Sequence, residues 1–366
     1  MKIYQIYTLN NLNIFIVLLC LPFITYAQKK EQDKYLFKRA ISKPLVSNMY
    51  TADPSAHVFN GRIYIYGSHD DESNIAESDN RDHFQMKDYH VLSMDSPTGK
   101  VTDHGVALSA EDIPWAGKQL WAPDAAYNNN IYYLYFPLKD KEGIFRIGLA
   151  SSKRPEGPFK AENEPIKGAF SIDPAVFKDS DGSFYLYFGG LHGGQLQRWK
   201  IGVFNMNASD KSDGQQREEP ALTAKVAKLS ADMKQLAEAP KDVIVLDKEG
   251  NVLLSGDHDR RFFEGSWVHK YNGKYYFSYS TGDTHKIVYA TGDSPYGPFT
   301  YQGIILLPVI GWTTHHSIVE FKNKWWLYYH DTELSGSKTH LRNIKVTELK
   351  YNKNGSIITI DPYGKK

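Results

Sequence analysis

Three carboxylates occupy one recurring position of the sequence, the start of an apolar segment that ends in a tight turn. The distance from carboxylate to turn glycine is eight or nine residues in the pairs Asp53 and Gly61, Asp173 and Gly182, and Glu264 and Gly273. Carboxylates that meet in one site push each other's pKa values apart, which separates an acid from a base. Hydrolysis of a glycosidic bond needs one carboxyl that carries a proton for the leaving oxygen and one ionised carboxylate that activates water or attacks carbon.

Each carboxylate also has a structural explanation when it is taken alone. Asp53 precedes a proline and Glu264 precedes a glycine, so both fit turn chemistry or a solvated strand end. Asp124, which follows Pro123, fits a turn residue or a partner of a neighbouring catalytic group. The equivalence of the three positions therefore carries the prediction of a shared site.

The pattern recurs five times, with a turn of Asn, Gly or Asp followed by an aromatic strand. The turns are Asn60-Gly61, Asn129-Asn130, Asp181-Gly182, Asn272-Gly273 and Asn323-Lys324. Such dipeptides supply the positive φ of hairpin turns. The more apolar strand before each turn opens at Asp53, at Trp121 or Asp124, at Asp173, at Glu264 and at His315.

Five antiparallel units predict an all-β protein, a five-bladed β-propeller whose inner strands surround an axial channel. The first residues of the inner strands should then converge at one mouth of that channel. One insertion, at about residues 205–250, departs from the repeat. Its apolar residues recur at helical spacing. They predict a short amphipathic helix between blades 3 and 4, formed around Leu222, Val226, Leu229, Met233 and Leu236.

The amino-terminal segment has the layout of a secretory signal peptide. Lys2 precedes an apolar run from Ile14 to Ile24, and cleavage is predicted after Ala27. We therefore expect a signal peptide at 1–27, a polar leader at 28–43 and the propeller at 44–366, in a protein exported to the periplasm or the extracellular space. Removal of Cys20 with the signal peptide would leave no cysteine for disulfides.

The amino-acid composition narrows the classes of molecule that the protein is expected to bind. The 366 residues carry 43 Lys and Arg against 42 Asp and Glu, so no basic surface for nucleic acid is expected. No segment is long enough for a comfortable membrane span. The 25 Tyr and 7 Trp offer flat faces for sugar rings, which favours an oligosaccharide or polysaccharide substrate. The oligomeric state stays open.

Histidines and aromatic residues near the carboxylates are further candidates. His315 or His316 could hold a water, a cation or a substrate hydroxyl at the axis, although the usual metal-ligand spacings are absent. Trp121 and Phe263 fit either the wall of a sugar site or ordinary core packing. The sequence contains no sign of a nucleophilic cysteine, a phosphate-binding glycine loop or a Gly-x-Ser-x-Gly elbow.

At these residues the sequence resembles glycoside hydrolase family 43, the five-bladed β-xylosidases and α-L-arabinofuranosidases. The resemblance runs from Pro44 to Asp361. It rests on TADPSAHVF at 51–59, LWAPDAAY at 120–127, SIDPAVFKDSDG at 171–182, FFEGSWVHKYNG at 262–273 and HHSIVEF at 315–321.

The resemblance implies inverting hydrolysis that requires no cofactor. It implies Asp53 as general base, Glu264 as general acid and Asp173 as the residue that raises the pKa of the acid. The same resemblance implies substrate-binding roles for Trp121, His315 and Arg342. Phe263, directly before Glu264, is a further candidate for the wall of the sugar site. The His315 match also allows a structural calcium ion held through water.

The expected activity is that of an exo-β-1,4-xylosidase acting on plant hemicellulose. An α-L-arabinofuranosidase or arabinan-cleaving enzyme is the first alternative, and a sugar-binding propeller without catalysis is a remote one. Inversion predicts acid and base carboxyls about 6.5 to 9.5 Å apart, and a separation of about 5 Å would indicate retention.

Overall fold

Five largely antiparallel blade sheets around an axis, together with one separate two-stranded hairpin, form the described protein, which confirms the predicted five-bladed propeller. The computed structural model describes residues 26–73, 75–77, 81–200 and 202–364. The predicted signal peptide lies outside the described residues up to position 25. Among the residues described, no helix is both long and apolar enough to cross a bilayer.

The strands follow one another blade by blade along the chain. Blade 1 contains β1 Thr51–Phe59, β2 Arg62–His69, β3 Asp88–Met94 and β4 Val101–Ser109. Blade 2 contains β5 Ala116–Lys118, β6 Asp124–Asn128, β7 Ile131–Asp140, β8 Phe145–Ser152 and β9 Lys160–Ala161. Blade 3 contains β10 Ala175–Lys178, β11 Phe184–Phe188, the hairpin β12 Trp199–Lys200 and β13 Val203–Phe204, then β14 Lys225–Lys228 and β15 Lys241–Asp242.

Blades 4 and 5 complete the ring. Blade 4 contains β16 Val245–Leu246, β17 Glu264–Tyr271, β18 Lys274–Ser280, β19 Ile287–Gly292 and β20 Phe299–Leu306. Blade 5 contains β21 His316–Phe321, β22 Lys324–Asp331 and β23 Asn343–Leu349. Short 3-10 turns lie at Ala110–Asp112, His192–Gly194, Leu196–Arg198 and Gly282–Thr284.

In each blade, a predicted hairpin turn joins the inner strand to the second strand of the same blade. Asn60 and Gly61 have φ of 51° and 77°, the left-handed pair that a tight turn between twisted strands requires. In blade 5 the left-handed pair is Lys322 and Asn323, so this turn lies one residue earlier than predicted and Lys324 already belongs to β22.

The predicted helix between blades 3 and 4 is wrong. Val226 lies in β14, where it pairs with Tyr187 of β11, and Leu229 and Leu236 form an isolated bridge around a turn. Val226 and Leu229 are buried as expected, but against a sheet. Without β14, the backbone groups along this edge of β11 would lack partners, and sheet pairing therefore outweighs the helical spacing.

The helix of the described chain, α1 at Tyr26–Lys38, lies instead mostly in the segment interpreted as a leader, and its first two residues belong to the predicted signal peptide. Phe37 on α1 packs edge-on against Tyr363, with ring centroids 6.1 Å apart. After it, the Leu45 amide donates to the Ile344 carbonyl at 2.9 Å. The amino-terminal chain thus covers the open edge of three-stranded blade 5 and helps close the ring. The boundary at residue 44 stays a prediction.

Asp124, which opens β6, joins the inner strands of three blades. Its buried carboxylate accepts hydrogen bonds from Ser55 Oγ, from His57 Nε2 at 2.6 Å and from the Val176 amide at 2.5 Å. Ser55 and His57 belong to β1 and Val176 to β10. Asp124 therefore serves the structure of the channel wall.

We predict that Asp124→Ala lowers the free energy of unfolding by about 3 kcal/mol, because three donors lose their acceptor together. Urea denaturation measures this change. The matched control is Asp95→Ala, whose side chain is 85% exposed. The control should change the free energy of unfolding by less than about 0.5 kcal/mol. Equal effects of the two substitutions would contradict the bracing role of Asp124.

Candidate active site

The predicted site residues meet in one pocket at a mouth of the axial channel. The pocket contains about 540 Å³ of space including its opening, a size typical of small-molecule sites. All seven sequence-predicted residues line it, namely Asp53, Asp173, Glu264, Trp121, Phe263, His315 and Arg342. Of the two residues considered for the blade 2 position, Trp121 lines the pocket and Asp124 braces its wall.

Local backbone distortions aim the carboxylates at the axis. Asp53 and Asp173 have left-handed φ of 51° and 55°. Aspartate tolerates this conformation better than most residues. Each precedes a proline, which disfavours the right-handed helical region. The pairing register shifts across Asp53, between Ala52 and Ser55 of β1, and after Glu264 in β17, as at a β-bulge. Bulges re-aim side chains near active sites.

Asp53 is a buried but ionised carboxylate. Its Oδ1 accepts from Arg342 Nη1 at 2.8 Å and its Oδ2 from Ser68 Oγ at 2.7 Å. Burial would raise its pKa, but the charge of Arg342 leads the opposing interactions, and together they hold the pKa of Asp53 at about 2. The carboxylate is therefore poised to accept a proton at neutral pH.

Arg342 is fixed by a second carboxylate that no pattern in the sequence selects. Its Nε and Nη2 donate to the two oxygens of Asp70 at 2.9 and 2.7 Å, and both residues are buried. This bidentate geometry orients the guanidinium plane toward Asp53. Asp70 follows β2 at a position outside the repeat, so only the folded chain reveals its part.

Asp173 and Glu264 behave in the opposite way, because the pKa values of both carboxyls are raised. Burial raises the pKa of Asp173 well above its usual range, and the charges of Glu264 and Asp53 add to this effect. Burial likewise raises the pKa of Glu264 to about 7, against the opposing charge of Arg81. The Gly265 amide donates to Asp173 Oδ2 at 2.9 Å and ties the two strand ends together. The pair therefore retains a proton at neutral pH.

Three histidines surround the axis in different roles. His315 lines the pocket with its Nδ1 3.9 Å from Asp173 Oδ2, and burial lowers its pKa. His316 points elsewhere, toward Ser278 Oγ at 2.6 Å. His330, which no sequence pattern selects, accepts a hydrogen bond from the Asp53 amide on Nδ1 at 3.0 Å and so helps hold the left-handed backbone at Asp53.

Aromatic side chains form the pocket walls. Trp121 donates from its indole to the Phe84 carbonyl at 3.0 Å, which fixes the ring, and Phe263 lines the same pocket. Among the lining residues that no sequence pattern selects are Arg81 and Trp312, whose guanidinium and ring stack at 4.9 Å. Both lie in segments between blade strands, where the repeat assigns no position.

The family model of glycosyl hydrolases family 43 matches residues 41–357. A xylosidase/arabinosidase of Bacteroides ovatus is 60% identical over 318 residues, which cover 87% of this chain and 97% of that protein. A β-xylosidase of Xylanibacter ruminicola is 53% identical over 313 residues, covering 85% of this chain and 97% of the relative.

Solved structures that are similar to this chain are also family 43 enzymes. A family 43 β-xylosidase/α-arabinofuranosidase from a compost microbial metagenome, in complex with xylotriose and in a calcium-free form, is 64% identical. It superposes with a TM-score of 0.87 and the match covers 88% of this chain and 98% of that one. A family 43 enzyme of Xanthomonas citri complexed with xylose is 53% identical, with a TM-score of 0.87 and coverage of 92% and 97%.

The raised pKa of Glu264 predicts a cost in stability that grows with pH. From the ordinary carboxyl value up to about pH 7 the folded protein keeps a proton that the unfolded chain releases, so the free energy of unfolding falls as pH rises through this window. Glu264→Gln removes this titration. The variant should exceed the wild type by about 2 kcal/mol at pH 8 and show no such gain at pH 4.

Urea denaturation at both pH values measures the difference, with Glu249→Gln on the exposed surface as the matched control. A Glu264→Gln effect that is the same at pH 4 and pH 8 would show that the carboxyl has an ordinary pKa.

Proposed function

Because this chain belongs to glycosyl hydrolases family 43, and is thus a glycoside hydrolase, we propose that it is an inverting exo-β-1,4-xylosidase acting on hemicellulose fragments. The observation that carries the proposal is the contrast of pKa directions within one pocket. The pKa of Asp53 is lowered to about 2, whereas the pKa of Glu264 is raised to about 7. This is the division of roles that glycosidic hydrolysis needs.

In the proposed reaction, Asp53 accepts a proton from a water molecule as the water oxygen attacks the anomeric carbon. Glu264 donates its proton to the departing glycosidic oxygen, and the carbon–oxygen bond breaks. The released sugar has inverted configuration at its anomeric carbon. The proton from Glu264 becomes part of the new hydroxyl group on the leaving chain. A proton exchange with solvent then restores both carboxyls.

Neighbouring side chains give the proposed base and the proposed acid different pKa values. Arg342 lowers the proton affinity of Asp53, so the base stays ionised at the pH where the acid remains protonated. Burial and the charge of Glu264 raise the pKa of Asp173, and its carboxyl holds the start of the acid's strand through the Gly265 amide. We assign Asp173 and Arg342 to positioning, with the Arg342 guanidinium also lining the sugar pocket.

The names of the relatives support the choice of sugar. The Bacteroides and Xylanibacter proteins are named for xylosidase activity, and the compost and Xanthomonas structures hold xylotriose and xylose. Trp121, Phe263 and Trp312 give this pocket an aromatic character that suits a pentose ring. Since relatives are also named arabinosidases, α-L-arabinofuranosidase activity is the second candidate.

We propose that hydrolysis needs no cofactor and that a calcium ion is at most structural. Calcium prefers oxygen ligands, and neutral His315 could support one only through water. Within the described structure, buried Ser266 Oγ and Thr314 Oγ1, close in sequence to the pocket residues, have no hydrogen-bond partner, which leaves hydroxyls for such a water. The proposed reaction steps use none of these groups.

We further propose that the protein is exported. The charged and apolar pattern of residues 1–27 supports this, as does a substrate class that occurs outside the cell.

Glu264→Gln tests the acid role. With xylotriose, whose leaving group must be protonated, we predict a fall in kcat of about 10³-fold. With an aryl xyloside whose phenol leaves unassisted, the fall should be much smaller. Product release followed by chromatography measures both rates, and Glu249→Gln should retain wild-type values. Equal losses on the two substrates would exclude Glu264 as the proton donor.

The substrate and stereochemistry are tested on the wild type. We predict that aryl β-xyloside and xylotriose are cleaved faster than aryl α-arabinofuranoside and linear arabinan, and that proton NMR shows α-xylose as the first product. Faster release of arabinose would favour the second candidate. Initial β-xylose would contradict inversion, and unchanged substrates would leave only sugar binding.

A further inference from the structure

Blade 1 carries a second cluster of chemically capable residues outside the pocket. His69 is the last residue of β2, and Asp88 and His90 lie at the start of β3 beside it. One ligand atom from each lies within 4.8 Å of the other two. By strand alternation all three share the sheet face of Ile65 and Leu92, so their side chains project to the same side.

The spacing of the ligand atoms is close to that of a metal site. His69 Nδ1 and Asp88 Oδ1 form a hydrogen bond of 2.7 Å, which an ion would replace, and His90 Nε2 lies 4.0 Å from the same oxygen. Bonds of about 2.0 to 2.2 Å from nitrogen and oxygen to Zn²⁺ place neighbouring ligand atoms about 3 to 4 Å apart. Small side-chain adjustments would therefore bring all three atoms onto one ion.

Asp103 orients the His90 imidazole through the ring nitrogen that does not face Asp88. His90 Nδ1 donates to Asp103 Oδ1 at 2.9 Å, and the same oxygen accepts the Gly105 amide at 2.9 Å. A proton on Nδ1 leaves the lone pair on Nε2, the nitrogen that faces Asp88. Metal-binding histidines are typically held by such a carboxylate.

Charge and access also fit a divalent cation. Asp88 and Asp103 contribute two negative charges beside two imidazoles that bind metal in their neutral form. The side chains of His69, Asp88 and His90 are 32%, 25% and 15% exposed, so an ion can reach them from solvent and a water can complete the coordination.

We propose that His69, Asp88 and His90 bind a divalent transition-metal ion of the Zn²⁺ type, with Asp103 as the residue that positions His90. The two histidines and one carboxylate suit Zn²⁺, Co²⁺ or Ni²⁺ better than calcium, which prefers oxygen. The site is separate from the catalytic pocket and its existence does not depend on the proposed function.

The position of the cluster gives the ion a structural consequence. His69 ends β2 and Asp88 begins β3, so one ion would join both ends of the intervening segment. That segment carries Asp70, which holds Arg342, and also Arg81, Phe84 and Met86 of the pocket wall. Ser68 and Tyr89 already pair across the base of this segment, and an ion one residue further along would add a second tie that reduces the freedom of the chain. Metal binding should therefore steady the pocket wall.

Zn²⁺ titration by calorimetry tests the site on the full-length protein. The wild type should bind one Zn²⁺, and His90→Gln should lower the affinity at least about 100-fold. Asp103→Asn should weaken binding by about 10-fold, as loss of an orienting partner does. The matched control is His104→Gln, on β4 of the same blade, which should bind as the wild type does.

Two further readouts separate ligation from a general structural effect. Co²⁺ should give a visible absorption band in the wild type and in His104→Gln that is absent in His90→Gln. Zn²⁺ should slow amide hydrogen exchange at residues 81–87 in the wild type and leave it unchanged in His90→Gln.

The proposal fails if the wild type binds no Zn²⁺, or if His90→Gln keeps wild-type affinity and stoichiometry, since the ion would then lie elsewhere, for example near His315. Should His90→Gln not fold, the same comparison is made with His69→Gln, and retained binding there overturns the proposal equally.

Discussion

The buried guanidinium of Arg342 is the charge on which the site depends. It lies between Asp53 and Asp70, and removing either partner would leave an uncompensated charge in the interior. Asp53 lies on β1 and Asp70 directly after β2, both in blade 1, whereas Arg342 immediately precedes the last strand of blade 5. The same ion pairs therefore close the propeller ring and hold the proposed base ionised, so that the electrostatics of catalysis and the integrity of the fold share one set of contacts.

Around that charge, similar carboxylates acquire different properties. Asp53 touches the cation and has its pKa lowered. Asp173 and Glu264, for which the described structure shows no ion pair with Arg342, have their pKa values raised by burial. Because the inner strands deliver all three to one mouth of the channel, contact with Arg342 separates base from acid. The propeller brings the three carboxylates together, and the position of Arg342 makes their pKa values differ.

The pocket also draws on parts of the chain that lie outside the blades' regular pattern. The segment between β2 and β3 supplies Asp70 and Arg81, and the segment before β21 supplies Trp312. These residues are positioned by contacts with other parts of the chain rather than by strand alternation. The cluster at His69 and Asp88 lies where the first of these segments leaves the sheet, which links an outer feature of blade 1 to the wall of the pocket.

The propeller, the carboxylates near the inner-strand starts and the hairpins, apart from a one-residue displacement of the blade 5 turn, could be predicted from the amino-acid order. Strand alternation and turn chemistry are local, and the repeat presents them five times. The helix expected near residues 222–236 could not be corrected in this way, since the strand edge of β11 that pairs with β14 is invisible in the spacing of side chains.

Long-range packing also assigned Asp124 to bracing three blades and Trp121 to the pocket, and it placed Asp70 against Arg342 and His330 against Asp53. His330 and Asp53 are separated by 277 residues. No local pattern encodes a partner at such a distance, because the contact exists only once the ring has closed.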